Sequence, residues 1–81
     1  MSMSATANGK LIEIFRLVLE LPPNTDVTSL EQIDAPSWDS LAHISLVSAM
    51  ESEFGTTIDP SDALNITSFV AAQRIVDERG L

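Results

Sequence analysis

Apolar residues recur at helical spacing in three stretches of the chain, and alternation at every second position never persists beyond a few residues. The pattern predicts helices and no strands. Between Lys10 and Leu21, the residues Leu11, Ile14, Phe15, Leu17, Val18 and Leu21 share one broad arc. Glu13, Arg16 and Glu20 cluster opposite, spaced to pair at i,i+3 and i,i+4. Pro22-Pro23 is expected to stop this helix, since proline offers no backbone donor. A long polar connection runs on to Ser37, in which Val27, Leu30 and Ile33 are the candidates to pin the loop down. Loops of this length in a small domain are often functional. A second helix is read from Asp39 to Phe54, ended by Gly55. In "IDPSDAL", Asp59 as cap and Pro60 at the first helical position predict a short helix near Ser61 to Leu64. Thr67 is the expected cap of a last helix whose Phe69, Ala72, Ile75 and Val76 share an arc, with Gln73, Arg74, Asp77 and Glu78 opposite. The fold class that follows is all-α: a small four-helix bundle of three longer helices and one short one, with a long loop between the first two.

At 100° per residue the apolar positions of the second helix form two stripes, not one. Leu46, Val47, Met50 and Phe54 lie within an arc of about 100°, wide enough to face a core. Leu41 and Ile44 fall to the side, among Ser45, Ser48, Glu51 and Ser52. Two readings stand for that second face. Either Leu41 and Ile44 pack under the preceding loop, or they form a docking surface for another protein together with Ser45, Ser48 and Glu51.

Composition narrows the chemistry. With 81 residues the chain is read as one domain spanning 1–81, with residues 1–8 as a frayed N-terminus. A domain this small buries only about 60% of its unfolded surface and leaves little room for a catalytic cleft. There is no cysteine and one histidine, His43, which removes thiol catalysis, disulfides and the usual zinc sites. Twelve acids against four bases give a formal charge of −8, which disfavours nucleic acid and anionic lipid and points to partners with basic surfaces. The opening "MSMSATANGK" reads as neither a signal peptide nor a spanning helix, so a cytoplasmic, monomeric protein is the expectation.

Asp39-Ser40-Leu41 opens a helix that runs to "MESEFG", and this arrangement resembles the acyl carrier protein family. The likeness takes in the first helix, the long loop, the passage "ESEFGTTIDPSDA" and the "NITSF" entry to the last helix. It implies that Ser40 carries a covalent 4′-phosphopantetheine derived from coenzyme A, whose thiol holds acyl groups as thioesters, with Asp39 beside it as the adjacent motif residue. It also implies a non-catalytic carrier, modified by a phosphopantetheinyl transferase and visited by acyl-loading and acyl-transferring enzymes with basic docking surfaces. A serine hydroxyl of ordinary pKa is a poor nucleophile, so the modifying enzyme would bring the base and Mg²⁺. The positive end of the helix would favour the attached phosphodiester.

Many family members carry a glycine and an aliphatic residue ahead of Asp-Ser-Leu; this chain has Ser37 and Trp38 and resembles a subgroup of discrete bacterial carriers with Trp-Asp-Ser-Leu. Where outward acids are usual on the second helix, Ala42, Ser45 and Ser52 stand here, and only Glu51 is retained. Such a carrier is expected in a fatty-acid, polyketide or other specialised pathway. Trp38 is read first as a loop anchor over the bundle. Ser40 and His43, at i,i+3, invite a nucleophile and base reading with Asp39 as orienter, which neighbouring residues of one helical turn do not support. His43 is read instead as a partly exposed helix residue. Asn65-Ile66-Thr67 matches a glycosylation acceptor but is better explained by capping, and Asp59 with Asp62 lacks calcium-loop spacing. The competing function class is an acidic helical interaction module with no prosthetic group.

Overall fold

The computed structural model describes residues 5–81, in which α1 (Ala5–Leu19), α2 (Ser40–Phe54), α3 (Pro60–Leu64) and α4 (Phe69–Glu78) form an all-helical bundle. The fray expected over residues 1–8 lies partly outside the described residues; from Ala5 onward the chain is helical. Among the described residues, no helix is long and apolar enough to cross a membrane.

Helix α1 turns Ala7, Leu11, Ile14, Phe15 and Leu19 into the core. Leu17 does not join them and is 69% exposed, a correction that follows from register. Leu19 lies one turn beyond Phe15 on the same face, while Leu17 falls four residues after Glu13 and three before Glu20, on the wet side. The helix also ends before the prolines. Glu20 takes a left-handed conformation with φ 51°, and the Leu21 N–H donates back to the Arg16 carbonyl at 3.1 Å, closing the end in a Schellman arrangement. Pro22 and Pro23 then keep the helix from resuming. Arg16 forms no ion pair with Glu13 or Glu20. Its guanidinium donates to the carbonyls of Pro22, Pro23 and Thr25 at 3.3–3.4 Å, securing the start of the loop.

That loop is structured by its own short turns. Asp26 caps a 3₁₀ turn over Val27–Ser29, its carboxylate accepting from the Thr28 N–H at 3.2 Å and the Thr28 hydroxyl at 2.7 Å. A second 3₁₀ turn covers Gln32–Asp34. Val27 is buried and Leu30 half-buried, but Ile33 is 90% exposed and pins nothing; Ala35 and Trp38 supply the remaining anchors. The loop is also tied to α4 through main-chain bonds: Gln32 N–H donates to the Thr67 carbonyl at 2.9 Å and Phe69 N–H to the Leu30 carbonyl at 3.0 Å. These flank an isolated antiparallel bridge between Glu31 and Ser68. Ser68, not Thr67, caps α4, its hydroxyl accepting from the Ala71 N–H at 3.0 Å. Thr67 lies one residue too early, with its carbonyl bonded to the loop.

Three rings meet at the centre of the bundle. Phe15 packs edge-on against Trp38 at 5.4 Å between centroids and against Phe69 at 5.1 Å, joining α1, the loop and α4. Leu46 and Met50 of α2, Ile58 and Ile66 from the connections on either side of α3, and Ala72, Ile75 and Val76 of α4 complete the core. Helix α3 has no buried residue of its own. Polar bonds hold it: Arg79 donates to the Asp62 carboxylate and to the Thr57 carbonyl, and its N-terminus is capped by Asp59 accepting from the Asp62 N–H at 3.0 Å.

Candidate functional site

The start of α2 is set from two directions. On its inner side Trp38 is only 3% exposed, wedged against Phe15, which fixes where the chain leaves the loop. Its anchoring role is therefore the one the structure displays. On its outer side Asp39 is the N-cap, in extended backbone, with one carboxylate oxygen accepting from the Ala42 N–H at 2.8 Å. Ser40 is then the first helical residue rather than the cap. Its side chain is exposed, and no hydrogen bond among the described residues engages its hydroxyl. The carboxylate beside it takes the capping duty and leaves the serine oxygen available.

His43, one turn later, lies against Trp38. The indole Nε1–H donates to His43 Nδ1 at 3.0 Å, with the two rings stacked at 6.1 Å between centroids. Because Nδ1 accepts, the imidazole proton sits on Nε2, which donates to the Ala63 carbonyl at 2.8 Å. Both ring nitrogens are thus engaged away from Ser40, which removes His43 as its base. This relay links the loop, α2 and α3, and the sequence reading did not find it. The available signal was Trp38 itself, since a buried indole N–H requires an acceptor.

The two stripes of α2 separate as the periodicity predicts. Leu46 and Met50 are buried, with Val47 and Phe54 half-buried beside them. Leu41 is 74% and Ile44 63% exposed, so neither packs under the loop. Ser45 and Ser48 are exposed between them. Glu51 is half-buried, and its Oε2 accepts from the Ile58 N–H at 2.7 Å, bracing the turn into α3. An open groove of about 450 Å³ runs between α3 and α4, lined by Asp62, Asn65, Thr67, Val70, Arg74 and Glu78 among others. It includes no residue of α2 and does not reach Ser40.

The geometry is therefore a free serine hydroxyl on the first turn of a helix, braced from behind and flanked by an uncovered apolar face. A family model described as a phosphopantetheine attachment site matches residues 9–72, a span that holds α2 and most of the rest of the bundle. No curated protein matches the chain.

Proposed function

The chain belongs to the phosphopantetheine attachment site family, and from that premise we propose that Ser40 is the residue that carries the 4′-phosphopantetheine. The observation that carries this reading is the division of labour at the start of α2: Asp39 caps, and the exposed Ser40 hydroxyl has no partner among the described residues. In modification, Ser40 Oγ attacks the pantetheine-side phosphorus of coenzyme A. An O–P bond forms, the pyrophosphate P–O bond breaks, the adenosine bisphosphate leaves, and the serine proton passes to a base of the transferase. Asp39 has one oxygen committed to the Ala42 N–H, and its other oxygen would be available to the Mg²⁺ that a transferase brings. The first-turn amides of α2 would favour the negative charge of an attached phosphodiester.

The loaded carrier shuttles acyl or related intermediates as thioesters between enzymes of a fatty-acid, polyketide or other specialised pathway, and catalyses nothing itself. Leu41, Ile44, Ser45 and Ser48 form the surface on which those enzymes land, with Glu51 at its margin. The test is intact mass after incubation with a broad-specificity phosphopantetheinyl transferase, coenzyme A and Mg²⁺. One added phosphopantetheinyl group, absent from Ser40→Ala, is the expected result. No gain in the unaltered chain would favour an acidic interaction module without a prosthetic group, and a gain in Ser40→Ala would move the site.

A further inference from the structure

Ser40 has an exposed side chain with no bond on its hydroxyl among the described residues, yet the turn that carries it is tied down at both ends. Two residues before it, Trp38 is buried against Phe15, and its carbonyl accepts from the Gln32 side-chain amide at 3.4 Å. Three residues after it, the His43 N–H donates to the Asp39 carbonyl at 2.9 Å and closes the first turn of α2. The bond from the Trp38 indole to His43 Nδ1 joins these two ends, so it spans the segment Asp39–Ala42 as a staple. The Ala63 carbonyl holds the other nitrogen of the same ring, and the staple is thereby fixed to α3 as well. The opening amides of a helix have no partner one turn back, which makes this turn the part of α2 with the fewest main-chain bonds of its own. Helix ends fray. A staple at this place restrains the backbone that carries Ser40.

We propose that Trp38 and His43 are positioning residues for Ser40: their bond keeps the first turn of α2 closed, so that a hydroxyl with no restraint of its own is offered from a fixed stretch of backbone. This rests on the assignment of Ser40 as the modified residue. Both ring nitrogens of His43 are engaged elsewhere, so its part is mechanical and moves no proton. Attack on phosphorus needs the serine oxygen in line with the bond that breaks, and a turn that opens spends part of its time with that oxygen elsewhere. The loss falls on the chemical step rather than on docking, because the rest of α2 and its exposed face stay formed.

The test is the rate of loading by a broad-specificity phosphopantetheinyl transferase with coenzyme A and Mg²⁺, followed by mass against carrier concentration, at a temperature where circular dichroism shows every variant folded. Trp38→Phe keeps a ring toward Phe15 but loses the donor, and His43→Ala loses both bonds. His43→Asn sets an amide oxygen near the place of Nδ1 and restores the staple alone. Val76→Ala, in the buried face of α4, is the control for lost stability with the staple intact. The expected result is a kcat lowered about tenfold in His43→Ala and about threefold in Trp38→Phe, with KM changed less than about twofold. His43→Asn should recover most of the loss, and Val76→Ala should load at the natural kcat. Backbone relaxation of the unloaded carriers gives a second readout: order parameters of the Ser40, Leu41 and Ala42 amides should fall in His43→Ala and Trp38→Phe but not in Val76→Ala. A natural kcat in both relay variants would overturn the proposal, as would an equal loss in Val76→Ala, which would assign the effect to overall stability. A lowered kcat with the Ser40 turn still ordered would also overturn it and make these residues direct contacts of the transferase. Failure of the unaltered chain to load at saturating transferase is a different result, which removes the Ser40 assignment and the positioning role with it.

Discussion

The indole Nε1–H of Trp38 donates to Nδ1 of His43 at 3.0 Å, and this single bond decides what the other side of the imidazole does. With Nδ1 accepting, Nε2 must carry the proton, and it reaches the Ala63 carbonyl of α3 at 2.8 Å. Helix α3 buries no residue of its own and Ala63 only packs partly buried against the core, so this bond joins the Arg79 contacts and the Glu51 bond to the Ile58 N–H in fastening it to the bundle. A core aromatic in the loop is thereby linked through His43 of α2 to α3.

Trp38→Phe is therefore expected to keep the ring packing on Phe15 but to lose the donor, at about 1 kcal/mol from one missing hydrogen bond. His43→Ala removes both bonds and should cost about 1–3 kcal/mol. Denaturant unfolding gives the totals. Hydrogen exchange locates the effect, because the Asn65 and Ile66 amides that close the end of α3 should lose protection before those of α1. Uniform loss across the bundle would mean that the relay serves global packing only.

Capping by Asp39 and presentation by Ser40 make opposite demands on two adjacent substitutions. Ser40→Ala is expected to abolish loading while shifting stability by no more than about 0.5 kcal/mol, as an exposed residue outside the cap. Asp39→Ala removes the acceptor of the Ala42 N–H and should cost about 1 kcal/mol, whereas Asp39→Asn keeps a capping oxygen and should cost less. A melt of all three variants orders them; a large loss in Ser40→Ala would place the cap on the serine.

Glu20 is the described non-glycine residue with positive φ, at 51°, where it closes α1. A side chain there costs of order 1 kcal/mol against glycine, in part returned by the greater freedom glycine has when unfolded. Glu20→Gly is expected to raise stability by about 0.5–1 kcal/mol, with Glu20→Ala showing no such gain. Thermal midpoints of the two variants decide it.

Hydrogen bonding from Thr28, then from Ser29, holds the Asp26 carboxyl below its ordinary value of 3.8. The folded state therefore binds fewer protons at this site than the unfolded chain, and stability rises with pH across the interval between the two values. The contribution is complete above the unfolded value and is lost as pH falls through the folded one. Asp26→Asn keeps an oxygen for the cap but cannot titrate, so the stability of the natural chain relative to this variant should fall on acidification below about pH 4 and be constant above it. A flat difference through the acid range would assign the turn no linkage to pH.

Much of the fold was legible because it is local. The arcs of α2 and α4, the Asp59-Pro60 entry to α3 and the αL stop at Gly55 all follow from spacing and backbone preference within a few residues. The misplaced details depend on what lies across the bundle. Thr67 and Ser68 are both competent caps, and the choice is made by the loop bonding the Thr67 carbonyl. Ile33, Ile58 and Ile66 all sit in connections without periodicity, yet the first is exposed and the other two buried, a difference set only by packing. At the site, the two stripes of α2 were readable from spacing, but whether Leu41 and Ile44 lay under the loop or open was not, and Ser40 stood out only through a likeness that runs along most of the chain. The His43 bond to Ala63 spans twenty residues and was not readable.

Net charge gives the last expectation. Among the described residues the ion pair formed is Arg79 with Asp62, and most of the acids stand exposed without a counter-charge. The radius of gyration is 11.6 Å. At 0.01 M ionic strength the screening length is about 30 Å, so every acid repels every other across the molecule, whereas at 0.15 M it is about 8 Å and only neighbours interact. Unfolding moves the acids apart, so repulsion weighs on the folded state more than on the unfolded chain. Screening should therefore raise the thermal midpoint between these two salt concentrations, and millimolar Mg²⁺ should do so at an ionic strength where Na⁺ does little. Salt also weakens the Arg79–Asp62 pair, but an exposed pair of this kind contributes only about 0–1 kcal/mol and cannot reverse the sign. Melts at the two ionic strengths, and at low salt with and without Mg²⁺, check this. A midpoint that stays level or falls with salt would mean that attraction among the few bases and many acids outweighs the repulsion.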